Sequence, residues 1–354
     1  IIVMDLSKDK DPVVNEKMKK NLVYVSIFSI VMFFAGLSSA YIVLMGDSMW
    51  VKAGMPNAFW WSSAFIALSS FSFVYAIKMA KQNELKMLKA CMSITLLMGL
   101  IFVYFQFKGF DELKKNGIYG TSTIMVSEGK YGQPFEVKIN GDFVTVKDNT
   151  YMLNGKPLKD NEFELFRDYL GQFIPTEKKP LGQSFTKDIN GVELFYEQQP
   201  LIVKNNTLYI NDTLQLGPSD FKLLHILANN VKLGRVDLIP LGQIGKDFSI
   251  WYKGSELIMK GRKLQRKTGE KLSSFELNEA ERSRDNASAF LYLLTYAHLV
   301  HILVALIYLS RIVVKTFRNT YNSNNHLSLR LTSIFWHFLG LLWGYLILFL
   351  IFIH

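Results

Sequence analysis

The chain has 354 residues, is 49% hydrophobic and 14% aromatic, and carries a formal charge of +10 at neutral pH. That length allows one large or two medium domains. The placement of the charge excludes nucleic acid as a partner, because lysine and arginine flank apolar runs or lie scattered among acids and form no basic face. The single cysteine, Cys91, excludes an intrachain disulfide.

In chain order, residues 1–20 form a leader of mixed charge, with Met4 a candidate start. No cleavable signal is expected, since the first apolar run is too long for a signal core. Five runs free of Lys, Arg, Asp and Glu then reach, or nearly reach, the length needed to cross the bilayer: Asn21 to Met45, Phe59 to Ile77, Ala90 to Phe107, Ala287 to Ser310 and Leu331 to Ile353. Roughly 30 Å of hydrocarbon takes about 20 helical residues, and a soluble helix of that length would need a charged face. The expected fold is a polytopic α-helical membrane protein, a bundle of five transmembrane helices with an inserted β-rich α+β domain. Its parts are a cytoplasmic leader at 1–20, three helices within 21–125, the insert at 126–285 and two helices within 286–354.

Short loops fix the orientation through lysine and arginine. Lys8, Lys10, Lys17, Lys19 and Lys20 precede the first span. Lys78, Lys81, Lys86 and Lys89 lie between the second and third, and Arg311, Lys315, Arg318 and Arg330 between the fourth and fifth. The loop after the first span has only Lys52. This places the N-terminus in the cytoplasm and the insert outside, in the periplasm of a bacterial inner membrane. Trp50, Trp60 and Trp61 are expected at the outer interface, where amphipathic rings are favoured.

In the insert, Asn140-Gly141, Asn154-Gly155 and Asn190-Gly191 suit tight hairpin turns. An internal echo is also visible. Val146, Lys147, Asn149, Thr150, Asn154, Phe163 and Leu165 match Val203, Lys204, Asn206, Thr207, Asn211, Phe221 and Leu223, which implies a duplicated β-β-α unit. Chance sharing of turn chemistry is the alternative. Ser219 or Asp220 is expected to cap the second helix. Asn205-Asn206-Thr207 fits a glycosylation sequon, a pattern frequent by chance. No phosphate loop or metal-ligand spacing occurs in the insert, whose one histidine is His225. Gly254 to Arg284 is expected to return toward the membrane as a basic strand and helix.

His298 and His301 stand three residues apart in the fourth span, and His337 lies in the fifth. Intramembrane polar groups turn inward and pair. Two readings are open: a metal or haem site between helices, or hydrogen bonds that fasten the bundle.

The segments QFKGFDELKKNGIYGTS, LYLLTYAHLVHILVALIYL and FWHFLGLLWGYL, with SIVMFFAGLSSAYI in the first span, resemble subunit III of haem-copper oxidases, the cytochrome c oxidase family. That family carries S-E-V-x-F-F-x-G-x-x-x-A-[FY], Q-x-x-E-Y, D-G-[IV]-Y-G-S-T, F-H-G-x-H-V and W-H-F-x-D-x-x-W. Ser29, Phe33, Phe34, Gly36 and Ala40 match the first; Gln106, Gly117, Tyr119, Gly120 and Thr121 the next two; His298 and His301 the fourth; and Trp336, His337, Phe338 and Trp343 the fifth. The likeness covers the five spans in order and corresponds to the last five of seven helices; five-helix members exist. Three acidic positions of the family are Ile30, Gly109 and Gly340 here, so no proton-related role carries over. The insert interrupts what is nearly continuous in the family.

The resemblance implies a non-catalytic subunit of a bacterial terminal oxidase that couples oxygen reduction to proton pumping. It would pack on subunit I, with subunit II alongside, and bind phospholipids. Haem and copper would sit in the partner subunits, none in this chain, and the three histidines would hold helix to helix or helix to lipid. Gly36, Ser38, Ser39 and Ala40 read as a small-residue strip for close helix approach. The insert is expected to dock a cytochrome c domain, a donor complex or another subunit. The alternatives are subunit III of a quinol oxidase, or a stand-alone membrane sensor or transporter.

Overall fold

A computed structural model describes residues 12–46, 48–121, 124, 134–176, 191–204, 207–260, 263–282, 284–323 and 325–353. The Asn190 half of one expected turn and the Asn205-Asn206 part of the sequon fall outside the described residues. In chain order the elements are α1 (Pro12–Met45), β1 (Met49–Ala53), α2 (Asn57–Lys81), α3 (Leu85–Lys115), β2 (Phe135–Ile139), β3 (Asp142–Phe143), β4 (Thr145–Lys147), β5 (Thr150–Leu153), β6 (Lys156–Pro157) and α4 (Asp160–Gly171). They continue with β7 (Val192–Tyr196), β8 (Gln199–Lys204), β9 (Thr207–Ile210), β10 (Leu214–Gln215), α5 (Pro218–Lys232), β11 (Phe248–Tyr252), β12 (Ser255–Lys260), β13 (Lys263–Arg266), α6 (Ser274–Arg282), α7 (Asn286–Phe317) and α8 (Leu327–Phe352).

The chain divides into a helical unit, residues 1–47, 54–114 and 286–354, and a second unit of residues 48–53 and 115–285. Among the described residues, the helical unit holds five helices long and apolar enough to cross a membrane. Each outruns its apolar stretch, because the polar residues at its ends suit a helix as well. Aromatic edges key the helices together. Tyr41 of α1 meets Phe290 of α7 and Phe349 of α8, and Phe110 of α3 lies flat on Tyr296 of α7 at 4.3 Å. Gly109 lets Phe59 of α2 press onto α3, since a Cβ there would come within 2.2 Å of that ring. The two short connections are tied together. Asn83, in a left-handed turn between α2 and α3, accepts the Ser323 N–H at 2.8 Å in the α7–α8 connection. Glu112 of α3 accepts the Ala58 N–H at 3.2 Å, satisfying one of the free donors in the first turn of α2.

The second unit contains three antiparallel sheets: β1-β11-β12-β13, β10-β9-β8-β7-β2-β3 and β4-β5-β6. Strands β2 and β11 bury alternate residues, as a sheet with one face on a core requires. The two stretches that echo each other in sequence form like runs of elements, β4, β5, β6 and α4 in one and β8, β9, β10 and α5 in the other, though the first run makes its own sheet and the second joins the six-stranded one. Asn154-Gly155 and Asn211-Asp212 take the positive φ values of matching turns. Phe166, Tyr169 and Leu170 of α4 are buried in one common core with Leu224, Leu227 and Ala228 of α5. The expected helix cap is not where the sequence suggested. Gly217 is the N-cap, Pro218 opens α5 with its preset φ, and Asp220 instead accepts the Tyr196 hydroxyl at 3.1 Å.

Strand β1 is the main departure in organisation. The connection after α1, read from sequence as a short outer loop, pairs along its length with β11, Trp50 opposite Trp251. Trp50 is therefore wholly buried instead of exposed at an interface, whereas Trp60 and Trp61 are exposed. The compact unit also begins at Lys115, ahead of the expected boundary at 126.

Candidate functional site

The residues singled out from the sequence fall into three groups. The first is a neutral polar layer inside the helical unit. His298 is fully buried and donates its Nε2–H to the Leu339 carbonyl of α8 at 3.0 Å. Its ring stacks on Trp343 at 5.2 Å and meets the edge of Phe102. Trp343 is itself clamped by Phe59 and Phe102, each edge-on at 5.6 Å, and donates its indole N–H to Ser63 at 2.9 Å. Gln106 donates Nε2–H to Ser62 at 2.9 Å, and both Ser62 and Ser63 give their hydroxyl protons to the Phe59 carbonyl. About two turns away along the helices, Trp336 donates to Ser69, which donates to the Thr95 carbonyl. Four helices are thus cross-linked by uncharged groups in an apolar interior, where an unmade bond costs the full desolvation of its group.

The second group does not join this layer. Residues three apart on a helix are about 60° apart around its axis, and His301 uses that angle to face α1. Its Nδ1–H goes back to the Ala297 carbonyl of its own helix at 2.6 Å, and its ring lies 5.9 Å from Phe34. His337 faces α2 beside Phe73. The three histidines therefore do not converge, and no group of three or more His, Cys, Asp or Glu side chains able to hold a metal occurs among the described residues. His337 lines an open apolar groove of about 490 Å³ between α2 and α8, with Ser63, Ser70, Ile66, Gly340 and Gly344. Phe338 is half-buried and packs near Phe335.

On α1, Phe34 and Ser38 are buried, whereas Ser29, Phe33 and Gly36 are exposed. Nothing lies within 4 Å of a Cβ placed at Gly36. At Gly36 the expected small-residue strip brings no helix close, while Ser38 accepts the Tyr345 hydroxyl at 2.9 Å. Ile30 is buried, and the Phe59 ring is seated on Gly109 where a side chain could not fit.

The third group, Gly117, Tyr119 and Gly120, belongs to the second unit. Gly117 has φ +74°, and a Cβ on it would stand 2.0 Å from the Ile239 carbonyl oxygen. The Leu241 N–H donates to the Asn116 carbonyl at 2.9 Å, so the turn cradles residues 239–241. Asn149 holds the same segment from the other side, accepting the Asp237 and Leu238 N–H groups at 3.0 Å and donating to the Pro240 carbonyl. Tyr119 is partly exposed.

Two features escaped the sequence reading. The serines of α2 are the acceptors for both buried tryptophans of α8, and a serine in an apolar helix gives no sign beyond its spacing of which neighbour it will serve. Ionic pins also close the second unit around α6. Arg266 pairs with Glu276 at 2.9 Å, and Tyr252 donates to Glu279. The Ser273 backbone N–H and hydroxyl, then Arg266, hold the Glu276 carboxyl below its usual range. Burial, then the bond to Glu279, pushes the Tyr252 hydroxyl up. Comparison of the chain with protein-family models, with curated proteins and with solved structures finds no match.

Proposed function

We propose that this chain is a non-catalytic scaffold subunit of a bacterial membrane oxidase, of the subunit III kind. The observation that carries the reading is the neutral layer of Gln106, His298, Trp336 and Trp343: motif residues from three helices meet in one interior and spend their polar groups on fastening helices. A bundle with no charged side chain in its five apolar runs supplies packing and lipid contact, not a proton path. The basic α2–α3 and α7–α8 connections are hydrogen-bonded to one another, while β1, from the α1–α2 connection, folds with the segment between α3 and α7. Both facts agree with a cytoplasmic N-terminus and an outer insert. The apolar groove between α2 and α8 suits a phospholipid acyl chain, and redox-active subunits would carry the haem and copper. The insert, a folded unit with its own cores, serves to dock an outer partner such as the electron donor.

The test is purification through a tag on this chain in mild detergent, followed by mass spectrometry and a haem spectrum. Co-purification with two larger redox subunits is expected; recovery of the chain alone, without haem-bearing partners, overturns the reading. Copper in the second subunit separates a cytochrome c oxidase from a quinol oxidase. Removing residues 126–285, with Met49 and Val51 made polar because β1 loses its partner, tests the insert. Donor turnover should fall, and unchanged turnover and complex size would remove the docking role.

A further inference from the structure

Among the described residues, two side chains in the bundle interior are fully buried and incompletely bonded: Gln106 of α3 at Oε1 and His298 of α7 at Nδ1. Their levels in the bundle coincide. Gly99 of α3 sits against Leu306 of α7, and Phe110 of α3 lies on Tyr296, which sets the two helices antiparallel. Gln106 is seven residues on from Gly99, and His298 is eight back from Leu306. Phe102, one turn before Gln106 on α3, touches the His298 ring. The two residues thus stand at one level of the bundle, and their orphaned atoms make no direct hydrogen bond.

Their chemistry is the same. His298 has given its Nε2–H to Leu339, so in the neutral ring Nδ1 carries a lone pair. The Oε1 of Gln106 is also an acceptor. Two acceptors cannot satisfy each other, and the nearby donors are spent: Ser62 and Ser63 on Phe59, and Trp343 on Ser63. Protonating the imidazole would let it donate to Gln106, but would put a charge in an interior whose layer holds no acid. Buried polar groups left over in this way are bridged by ordered water, which has two protons to give.

We infer that the layer between Gln106 and His298 is a binding site for one buried water molecule, which donates one hydrogen to Gln106 Oε1 and the other to His298 Nδ1. The water joins α3 to α7, as Trp343 joins α8 to α2, and fixes the His298 tautomer that reaches Leu339. It also explains why a glutamine stands in α3 where a leucine would pack as well. The inference does not depend on which complex the chain serves.

A density map near 2 Å resolution of the full chain, purified with its native partners, tests this directly. A discrete peak within hydrogen-bond reach of both atoms is expected; a dry gap, or direct Gln106–His298 contact, overturns it. Thermal midpoints of Gln106→Leu, His298→Leu and the double variant give a second reading. Each single change orphans the water's remaining partner and should lower the midpoint, while the double change should cost clearly less than the two combined. Additive losses would contradict a shared guest, and if the variants do not accumulate, the wild-type map decides alone.

Discussion

The two units solve one problem, fastening elements to each other, with opposite chemistry. In the interior layer of the helical unit the fasteners are neutral: indole and imidazole N–H groups on serine hydroxyls and a backbone carbonyl. In the second unit they include ion pairs and a tyrosine on a carboxylate around α6, beside the amide side chain of Asn149. The difference follows from the surroundings. An unpaired charge in an apolar interior costs far more than a neutral hydrogen bond returns, whereas at a partly wet surface an arginine and a glutamate pair at little desolvation cost.

The largest expected effect probes the neutral side. Trp343→Ala removes the ring on which His298, Phe59 and Phe102 converge and orphans Ser63. Loss of a buried aromatic of this kind costs about 3–5 kcal/mol, so the detergent-solubilised protein should show a sharply lower unfolding midpoint. A variant of wild-type stability would mean the layer is not the fastener it is taken to be. Next comes Gly117→Ala in the second unit, where the left-handed backbone alone is worth about 1–3 kcal/mol and the Ile239 carbonyl leaves no room for a methyl group. Limited proteolysis should open the insert near residues 237–241 while sparing the helices.

Asn149→Ala should cost somewhat less, about 1–3 kcal/mol for orphaned buried donors. Hydrogen exchange at the Asp237 and Leu238 amides should quicken specifically. The smallest effect separates the two chemistries by pH. The folded-state pKa of Glu276 is lowered, so its contribution is present above the ordinary carboxylate range and is lost as pH falls through the lowered value. Because the group is exposed, the change is small. Exchange in α6 should rise on acidification in the native protein but lose that pH dependence in Glu276→Gln, and the helical unit should not follow.

What the sequence revealed and what it hid divide along the same line. The five helices were legible because a run of about 20 uncharged apolar residues has few other uses. Their ends were not, since residues such as Lys108 to Lys115 extend α3 without an apolar signal. The β2–β3 and β5–β6 hairpins announced themselves through Asn140-Gly141 and Asn154-Gly155, whose positive φ is needed at both central positions, whereas β4–β5 and β7–β8 turn at Asp148-Asn149 and Glu197-Gln198. Strand β1 could not: MWVKA is a strand only because β11, some 200 residues later, lies beside it. His298 was readable as an interior polar group; Trp336, Trp343 and Gln106 were marked only by the resemblance. Which serine or carbonyl each would meet was a matter of helix register, and His301 and His337 turned to other neighbours for the same reason.

The central claim is that the bundle is a passive frame beside a redox-active neighbour. Native mass spectrometry of the complex released from membrane, with metal analysis of each dissociated chain, tests it most directly. The account predicts that this chain leaves with phospholipid but without haem, iron or copper, while the chains it leaves behind retain all three. A metal or haem that stays with this chain, or an intact particle containing this chain alone, would contradict it.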